Sequence, residues 1–425
     1  MVIDAKNNNR NPEEIEDLKI SIAIISSTVT LTIQYFILIS FNLMETANGS
    51  IIQLLFKTVV GIIFLYTLPT VLKRKKVEFI VVYFVAIFIL LIHYLLFQEN
   101  QEYMIKLIFP LFFMCLPVFI YTLSIKNWSI FKKVMKKASL IIFLFGFLSG
   151  ILIPLNNEFA NDYSMALSYY MLLPTILFLD ELLDRFSLKA LFITCFSLII
   201  ILAFGSRGPI LCSGVFIILK LIRPVSKLNF HKVMIYICSF LVAIFTILYS
   251  EKILLAIDDF LSKFNIDSRN ISLFLNDYLH LSGRDRIYEK ILSEIVQHPI
   301  LGIGIAGDRR VADGNYAHNI ILEVFLNFGV IIGLILVIAF IMWLLKLLFV
   351  KEMNVYNMII IWVSFGFVSL LVSGSYLIDV NFWTLLGLMI SQLTMNRGNP
   401  LKQTGEQMSE CEPLDEYSRE PIDLT

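Results

Sequence analysis

Long apolar segments, separated by short polar ones, follow one another along almost the whole chain. We predict twelve membrane-spanning helices from them, because an apolar segment of about 20 residues crosses a hydrocarbon core about 30 Å thick. The predicted spans cover residues 20–40, 51–72, 79–97, 104–124, 138–155, 164–180, 189–204, 209–222, 233–250, 319–345, 355–373 and 380–395. The pattern therefore predicts an all-α polytopic membrane protein.

Composition agrees with this fold class. Of the 425 residues, 58% are hydrophobic and only 16% are charged, and the mean hydropathy is +0.79, far from the values of soluble globular domains. The formal net charge is zero, and we predict no nucleic-acid partner. Polar residues are concentrated at the two ends of the chain. They predict a solvated tail over residues 1–19 and a disordered tail over residues 396–425, around a membrane domain over residues 20–395.

The connections between the predicted spans alternate in charge. Lys and Arg occur in residues 73–76, 126–137, 184–189, 220–232 and 346–351, whereas residues 42–50, 98–102, 156–162 and 373–379 contain neither. Because short loops rich in Lys and Arg stay on the cytoplasmic side, the first group and both tails are predicted in the cytoplasm. The only long loop, residues 250–317, is then predicted outside.

An arginine interrupts one of the apolar segments. Arg207, in the sequence "FGSRGPIL", is the only charged residue between Lys189 and Lys220. A single helix over residues 190–219 would be about 45 Å long, which is too long, and it would place the two flanking basic loops on opposite sides. We therefore predict two short helices with Arg207 between them at the outer face. There its guanidinium either binds a phosphate or carboxylate, or anchors the helix end at lipid headgroups.

Within the long loop, residues 284–297 predict an amphipathic helix, since apolar side chains recur at helical spacing. Ser282 and Asp285 form a capping-box pattern at its start, and Pro299 follows its end. Arg284 then lies in the first turn, where a cation opposes the helix dipole unless an anion binds there. We predict an anion site at Arg284. Arg286 either contributes to that site or faces solvent.

The predicted span that begins near residue 319 carries polar side chains in its first turns. Asn319, Glu323 and Asn327 recur every four residues and form a stripe that we expect to face the bundle interior. His318 precedes the helix, and its imidazole either acts as a general base or has a structural role. Further along the same span, Gly329 and a second glycine four residues later predict close packing against another helix.

The sequence "GIGIAG", residues 302–307, contains half of a dinucleotide-binding fingerprint. That function needs a preceding strand and a following helix with a carboxylate for the ribose, and the pattern predicts neither here. We therefore predict that these glycines form a turn.

Three motifs together, "GSRGP", "SGRDRIYEKILSEIVQHPILGIG" and "AHNIILEVFLNFGVIIG", resemble the O-antigen ligase and Wzy-type polymerase superfamily in order, spacing and sidedness. The resemblance covers residues 185–345, and the earlier spans match only in number and hydrophobicity. It implies a helical fold related to class C glycosyltransferases in the bacterial cytoplasmic membrane. It also implies substrates that are glycans linked to undecaprenyl diphosphate in the outer leaflet.

The resemblance also implies roles for single residues. Arg207 and Arg284 would bind the diphosphate, and His318 would be the acid/base residue that activates the acceptor hydroxyl. Arg286, Asn319 and Glu323 are possible supporting residues. The implied glycosyl transfer is inverting and uses neither metal nor cofactor. The implied partners are a lipid-linked donor and acceptor, and also flippase and chain-length regulator proteins.

Three functions remain open from the sequence. A polymerase joins lipid-linked repeat units, which is the function we favour because no additional outer domain is present. A ligase of the same superfamily transfers the glycan to a lipid or protein acceptor instead. A transporter without chemistry is the least favoured, since the predicted cytoplasmic halves of the spans carry almost no ionisable residues.

Overall fold

The computed structural model describes residues 11–44, 46–155, 165–204, 206–222, 284–350 and 352–397, together with isolated positions between 252 and 263. These residues are mostly helical and include no strand. Long helices expose apolar side chains, for example Leu65 on the second helix, which is 67% exposed. Exposed apolar faces on long helices are typical of contact with lipid. The predicted fold class, an all-α polytopic membrane protein, is thus confirmed.

Fourteen α-helices lie in the described residues. They are α1 (Pro12–Ser40), α2 (Ala47–Leu96), α3 (Gln101–Pro110), α4 (Leu116–Leu123), α5 (Trp128–Leu155), α6 (Met165–Tyr170), α7 (Leu172–Asp184), α8 (Leu188–Ala203), α9 (Arg207–Ile222), α10 (Arg284–Gln297), α11 (Gly307–Val311), α12 (Ile320–Leu348), α13 (Met353–Trp362) and α14 (Val380–Arg397). A π-turn joins α3 to α4, and a second π-turn followed by a 3₁₀ turn, Ser369–Leu371, continues α13.

Eleven of the twelve predicted spans coincide with these helices, and span 233–250 lies outside the described residues. Seven of the helical segments are long and apolar enough to cross a membrane. This count is lower than twelve for three reasons. Spans 51–72 and 79–97 form the two arms of one helix, α2, and span 233–250 lies outside the described residues. In addition, α8 and α9 have only 16 residues each, and the apolar part of α14 ends at Thr394. The break predicted between spans 189–204 and 209–222 is present, since α8 ends at Ala203 and α9 begins at Arg207.

The two arms of α2 meet at Lys75, whose backbone is not helical (φ −140°, ψ 41°). We predicted a loop here, whereas the chain bends within one helix and its basic residues pair with acidic side chains. Arg74 donates to Asp17 of α1 and to the carbonyl oxygen of Ser124, and Lys75 pairs with Glu78 at 2.7 Å. With these partners the chain bends sharply while it stays almost entirely helical.

One end of the bundle gathers the basic connections, and we call it the basic end. Asp17, which is 1% exposed, accepts hydrogen bonds from Arg74 and from the backbone N–H of Lys126. Asp180 at the end of α7 accepts from Lys220 at the end of α9, at 2.6 Å. The connections predicted in the cytoplasm therefore lie together at one end.

The opposite end, the loop end, gathers the connections without Lys or Arg. The amide of Asn100 donates to the carbonyl oxygen of Ile303 at 2.7 Å, which joins the turn after α2 to the long loop. The amide of Asn319 donates to the carbonyl oxygen of Leu371 at 3.2 Å. The grouping of connections thus follows the charge pattern, and the orientation of the two ends in the cell stays a prediction.

The first helix begins within the predicted N-terminal tail over residues 1–19. α1 begins at Pro12, because the side chain of Asn11 accepts a hydrogen bond from the backbone N–H of Glu13 and because proline suits the first helical position. Residues 398–425 and most of the long loop before Arg284 lie outside the described residues, so their predicted structure stays a prediction.

Candidate functional site

The start of α9 packs closely against the segment that follows α13. A Cβ atom on Gly208 would lie 3.3 Å from Cγ2 of Val372 and only 2.1 Å from the hydroxyl oxygen of Tyr169. Only glycine fits at this approach, which explains the glycine beside Arg207. The packing holds the start of α9, whose first residue is Arg207, beside Val372 at the loop end.

Arg284 reaches the same segment from another part of the chain. It is the first residue of α10, the helix over the predicted range 284–297, and its Nη1 donates to the carbonyl oxygen of Val372. Ser282 of the predicted capping box lies outside the described residues. Arg286, by contrast, is exposed. Of the two arginines in the first turn of α10, only Arg284 points to the segment that α9 touches.

His318 is held on both sides by hydrogen bonds of its neighbours. The backbone N–H of Ala317 donates to Oδ2 of Asp308 at 3.2 Å. On the other side, Asn319 caps α12 by accepting from the backbone N–H groups at the helix start, and its amide binds Leu371. His318 itself has a left-handed backbone (φ 55°), which is uncommon for residues other than glycine. Constraints from both neighbours explain how this conformation persists.

Leu371 and Val372 therefore form the common contact of the three predicted site segments. Gly208 packs on Val372, Arg284 donates to the carbonyl of Val372, and Asn319 donates to the carbonyl of Leu371. The structure thus brings the segments that carry Arg207, Arg284 and His318 to one region at the loop end, although more than a hundred residues separate the first from the last.

The imidazole of His318 is kept neutral. Burial, together with the positive charge of Arg284, lowers its pKa from 6.5 to about 4. Its Nδ1 is buried and makes no hydrogen bond to any described residue. The ring of Tyr316 lies 4.4 Å away between centroids. A neutral imidazole next to a guanidinium can accept a proton from a substrate hydroxyl.

Tyr316 also shows how close the charged groups are to one another. Burial raises the pKa of Tyr316, and the positive charges of Arg309 and Arg284 oppose this rise. Its phenol thus lies within electrostatic range of both arginines, and it forms one wall beside the imidazole of His318.

A buried ionic network lies directly behind this site. Arg309, which is 7% exposed, donates to Asp308 at 2.9 Å and to Oγ of Ser375 at 3.0 Å. Its Nη1 is 3.8 Å from Oε1 of Glu323, which is fully buried and also accepts from Ser375. Burial raises the pKa of Asp308, and the charge of Arg309 opposes this rise. The network joins α11, α12 and the loop before α14.

The polar stripe predicted on α12 is partly confirmed. Glu323 and Asn327 face the interior, where both are 0% exposed, and the amide of Asn327 donates to the hydroxyl oxygen of Tyr376 at 3.0 Å. Asn319 does not continue the stripe, because its side chain is used to cap the helix. Sequence reasoning missed Asp308 and Arg309. Two features of the sequence could have indicated them. Asp308 and Arg309 are adjacent and follow a nearly apolar glycine-rich turn, and Glu323, if it faces the interior as predicted, needs a cation as its partner.

The glycines of residues 302–307 form a turn, as predicted. Gly302 and Gly304 have positive φ (65° and 83°), and a Cβ on Gly302 would lie 2.3 Å from the carbonyl oxygen of Leu326.

The predicted helix–helix packing at Gly329 is wrong. Gly329 (φ 78°, ψ 169°) breaks α12, and the freed N–H of Val330 donates to the carbonyl oxygen of Pro299 at 2.7 Å. The long loop thus binds to the backbone of α12 itself.

In the part of the chain that the structure describes, no group of three His, Cys, Asp or Glu side chains could hold a metal ion. Asp379 begins the turn into α14, where the N–H of Phe382 donates to it at 2.9 Å. Burial raises the pKa of Asp379 to about 6.

Residues 191–338 match the family model described as O-antigen ligase. The matched segment begins in α8, ends in α12 and contains Arg207, Arg284, His318 and Glu323. No curated protein and no solved structure matches the chain. The family match confirms the resemblance inferred from the three motifs.

Proposed function

We propose that this multi-pass membrane protein, whose residues 191–338 match the O-antigen ligase family model, is a polysaccharide polymerase. It joins glycan repeat units that are linked to undecaprenyl diphosphate at the outer face of the bacterial cytoplasmic membrane. The family match itself indicates a membrane enzyme that handles glycans. The donor, the acceptor and the orientation, with both termini in the cytoplasm, are part of the proposal, as are flippase and chain-length regulator partners.

The observation that carries the proposal is the position of Arg284. Its guanidinium donates to Val372, against which the start of α9 packs, and its charge lowers the pKa of His318. A cation for the leaving group and a neutral base thus lie side by side. Both arginines are the first residues of helices, where backbone N–H groups also favour an anion.

The proposed reaction is a single displacement. The acceptor hydroxyl gives its proton to the imidazole of His318, and its oxygen forms a bond to the anomeric carbon of the donor. The bond from that carbon to the diphosphate oxygen breaks, and its electron pair stays on the diphosphate. Arg207 and Arg284 stabilise this charge, which is greatest in the transition state. Attack opposite the leaving group inverts the anomeric configuration.

Donor binding would also strengthen the base. Arg284 is one cause of the low pKa of His318. When the diphosphate neutralises that guanidinium, the pKa of His318 should rise. The imidazole is therefore a weak base in the free enzyme and a better one in the enzyme–donor complex, which limits proton transfer to the bound state.

A ligase is the second candidate, and the description of the matched family model favours it. It uses the same chemistry with a lipid or protein acceptor. Glycan analysis of a strain that lacks this gene separates the two functions. Loss of a polymerase leaves single repeat units on the acceptor or carrier, whereas loss of a ligase leaves long polymer on the lipid carrier. Restoration by Arg207→Ala, Arg284→Ala and His318→Ala to wild-type levels would contradict both functions.

A transporter remains the third candidate and makes a different prediction. Purified protein in liposomes would then move a labelled lipid-linked glycan across the bilayer without a change in its length. Under the polymerase proposal the label appears in longer products.

A further inference from the structure

A large apolar cavity lies in the half of the bundle that the proposed reaction does not use. Its volume is about 1050 Å³, and it is lined by α1, both arms of α2, and the segment from α3 to α4. Leu54, Gly61 and Leu65 line it and are exposed, so the cavity is open on one side. No described residue fills the space next to Gly61, where an added Cβ would meet nothing within 4 Å.

The two arms of α2 make this cavity deep. Lys75 lies at the basic end, where its neighbour Arg74 binds Asp17, whereas Phe97 after the second arm packs on Gly304 at the loop end. Both arms therefore run between the two ends, with the cavity between them. The lining extends from Leu54 to Leu68 along the first arm, which corresponds to roughly 20 Å of helix at a rise of 1.5 Å per residue.

Polar lining groups lie near the loop end of the cavity. Lys57 and His93 are equally far in sequence from the bend at Lys75, so Lys57 lies about at the level where the second arm ends. Gln34 lines the cavity near the end of α1, and its Oε1 is buried without a hydrogen bond to any described residue. Most other lining residues are aliphatic or aromatic. The lining hydroxyls of Ser27, Thr30, Thr58, Tyr83 and Tyr121 donate to backbone carbonyl oxygens. A cavity with polar groups at the loop end and an apolar lining elsewhere suits an amphiphilic molecule whose polar group lies at the loop end.

The loop end of the cavity, which we call its mouth, lies near the site on two flanks. On one flank, Tyr35, next to Gln34, packs on Tyr170 with ring centroids 5.8 Å apart, and the preceding Tyr169 contacts Gly208. On the other flank, Tyr94 and Met104 line the cavity. They also belong to a hydrophobic cluster that includes Ile305, Ala306, Leu377 and Tyr376. On both flanks, only a few packed side chains therefore lie between the cavity and the site.

We propose that this cavity binds the hydrocarbon chain of the polyprenyl diphosphate carrier. The inference rests on the proposed function, because it is the diphosphate at Arg207 and Arg284 that brings the chain to the mouth. The carrier has one long chain, and a single elongated cavity matches it. Gln34 and Lys57 meet the polar end of the lipid, and the arms of α2 enclose the chain.

Selectivity over bulk lipid must come from shape and from the polar mouth. Lipid tails are as apolar as the cavity lining, so apolar transfer alone gives no preference for one chain over another. A preformed cavity, however, lowers the ordering cost for a chain that fits it, and a diphosphate held by two arginines fixes the chain at its entrance.

Photolabelling of the purified full-length protein in phospholipid nanodiscs tests this inference. The probe is undecaprenyl diphosphate without a glycan, with a photoreactive group at the far end of the chain. Label is expected on α2 and α4, for example near Phe64 and Tyr121. The variant Gly61→Phe fills the open space and should reduce this label at least about tenfold, which corresponds to about 1.4 kcal/mol. Gly214→Phe on α9 is the matched control, since Gly214 also has nothing within 4 Å and does not line the cavity.

Three results would overturn the inference. One is label on the exposed face of α12, for example at Ile335. Another is equal label in Gly61→Phe and wild type, and the third is label from a photoreactive phospholipid that the carrier does not displace. The measurement needs no turnover, so label in the cavity of a protein that transfers no glycan would support the chain site while contradicting the polymerase. The opposite outcome is also possible to observe: the cavity of the wild-type protein takes no label, and Gly61→Phe transfers glycan at the wild-type rate. That outcome would contradict the chain site and support the polymerase.

Discussion

The guanidinium of Arg284, at the first residue of α10, donates a hydrogen bond to the backbone carbonyl oxygen of Val372, 88 residues later in the chain. This bond connects the long loop to the segment before α14, against which the start of α9 also packs. It gives the guanidinium one fixed contact and leaves its other N–H groups for an anion. The same charge acts on His318, so one side chain influences both the leaving group and the base.

Arg284 should not be replaceable by lysine. The guanidinium can donate to Val372 and to a diphosphate at once, whereas an ammonium is a single point charge with different geometry. We expect Arg284→Ala to reduce transfer by roughly 10²–10³-fold, the typical effect of removing one donor to a developing charge, and Arg284→Lys to recover only part of it. Initial rates with purified protein check this. Lys290→Ala on the same helix, where Lys290 forms an exposed pair with Asp313, is the control and should retain wild-type rates.

The pH dependence of the reaction should report His318. Because its pKa in the free protein is about 4, the imidazole is already neutral from pH 5 upward, and kcat/KM should lose no activity through His318 between pH 6 and 8. As pH falls through the pKa, the base becomes protonated and activity is lost. The acid limb of kcat should lie at higher pH than that of kcat/KM, since the bound diphosphate offsets Arg284. Coincident acid limbs would contradict donor-dependent activation of the base.

The buried Arg309 should be more important for stability than its neighbour Arg310. Arg309→Met leaves Asp308 and Glu323 buried without their cation, and breaking a buried pair in this way costs about 3–5 kcal/mol. Arg310 pairs with Glu99, which is 76% exposed, and its Nε donates to Oδ1 of Asn100 at 3.1 Å. Arg310→Met removes a surface ion pair and one hydrogen bond but leaves no buried charge unpaired, so it should cost only about 1–2 kcal/mol. Thermal unfolding of the two variants in one detergent gives the comparison. Similar unfolding temperatures for both would show that the network contributes little.

Alanine substitutions at two glycines distinguish the cost of backbone strain from the cost of steric overlap. Gly302 and Gly314 both have positive φ, but an added Cβ meets the carbonyl oxygen of Leu326 only at Gly302. Gly314→Ala should cost about 1–2 kcal/mol from the left-handed conformation alone. Gly302→Ala should cost more, because backbone atoms of α12 must move. The yield of folded protein and its unfolding temperature measure the difference, and equal losses would contradict the close packing of the loop on α12.

The parts of the fold that sequence reasoning predicted are those with local signals. Apolar length predicted the spans, the apolar spacing in residues 284–297 predicted α10, and the break around Arg207 followed from the length of the apolar segment. At Lys75 we predicted a loop between two helices, whereas the chain bends there within one helix, α2. The cause of the bend is the set of partners on α1 and after α4, which lie far away in sequence.

The site was predictable only where side-chain identity carries the chemistry. Arg207, Arg284 and His318 stood out as ionisable residues in apolar or helix-terminal positions. Their common contact did not, because the carbonyl groups of Leu371 and Val372 are backbone atoms and have no sequence signature. The pairing of Arg309 with Glu323 was hidden for a similar reason, since it depends on how the long loop returns to α12.

The most direct test of the central claim is an assay with purified protein and one lipid-linked repeat unit of defined structure. Wild-type protein should convert this single species into a ladder of glycans that differ by one repeat, with release of one undecaprenyl diphosphate per bond formed. His318→Ala, monodisperse and with unchanged affinity for undecaprenyl diphosphate, should form no ladder. A substrate that stays one repeat long with wild-type protein, or a full ladder from His318→Ala, would contradict the proposed polymerase.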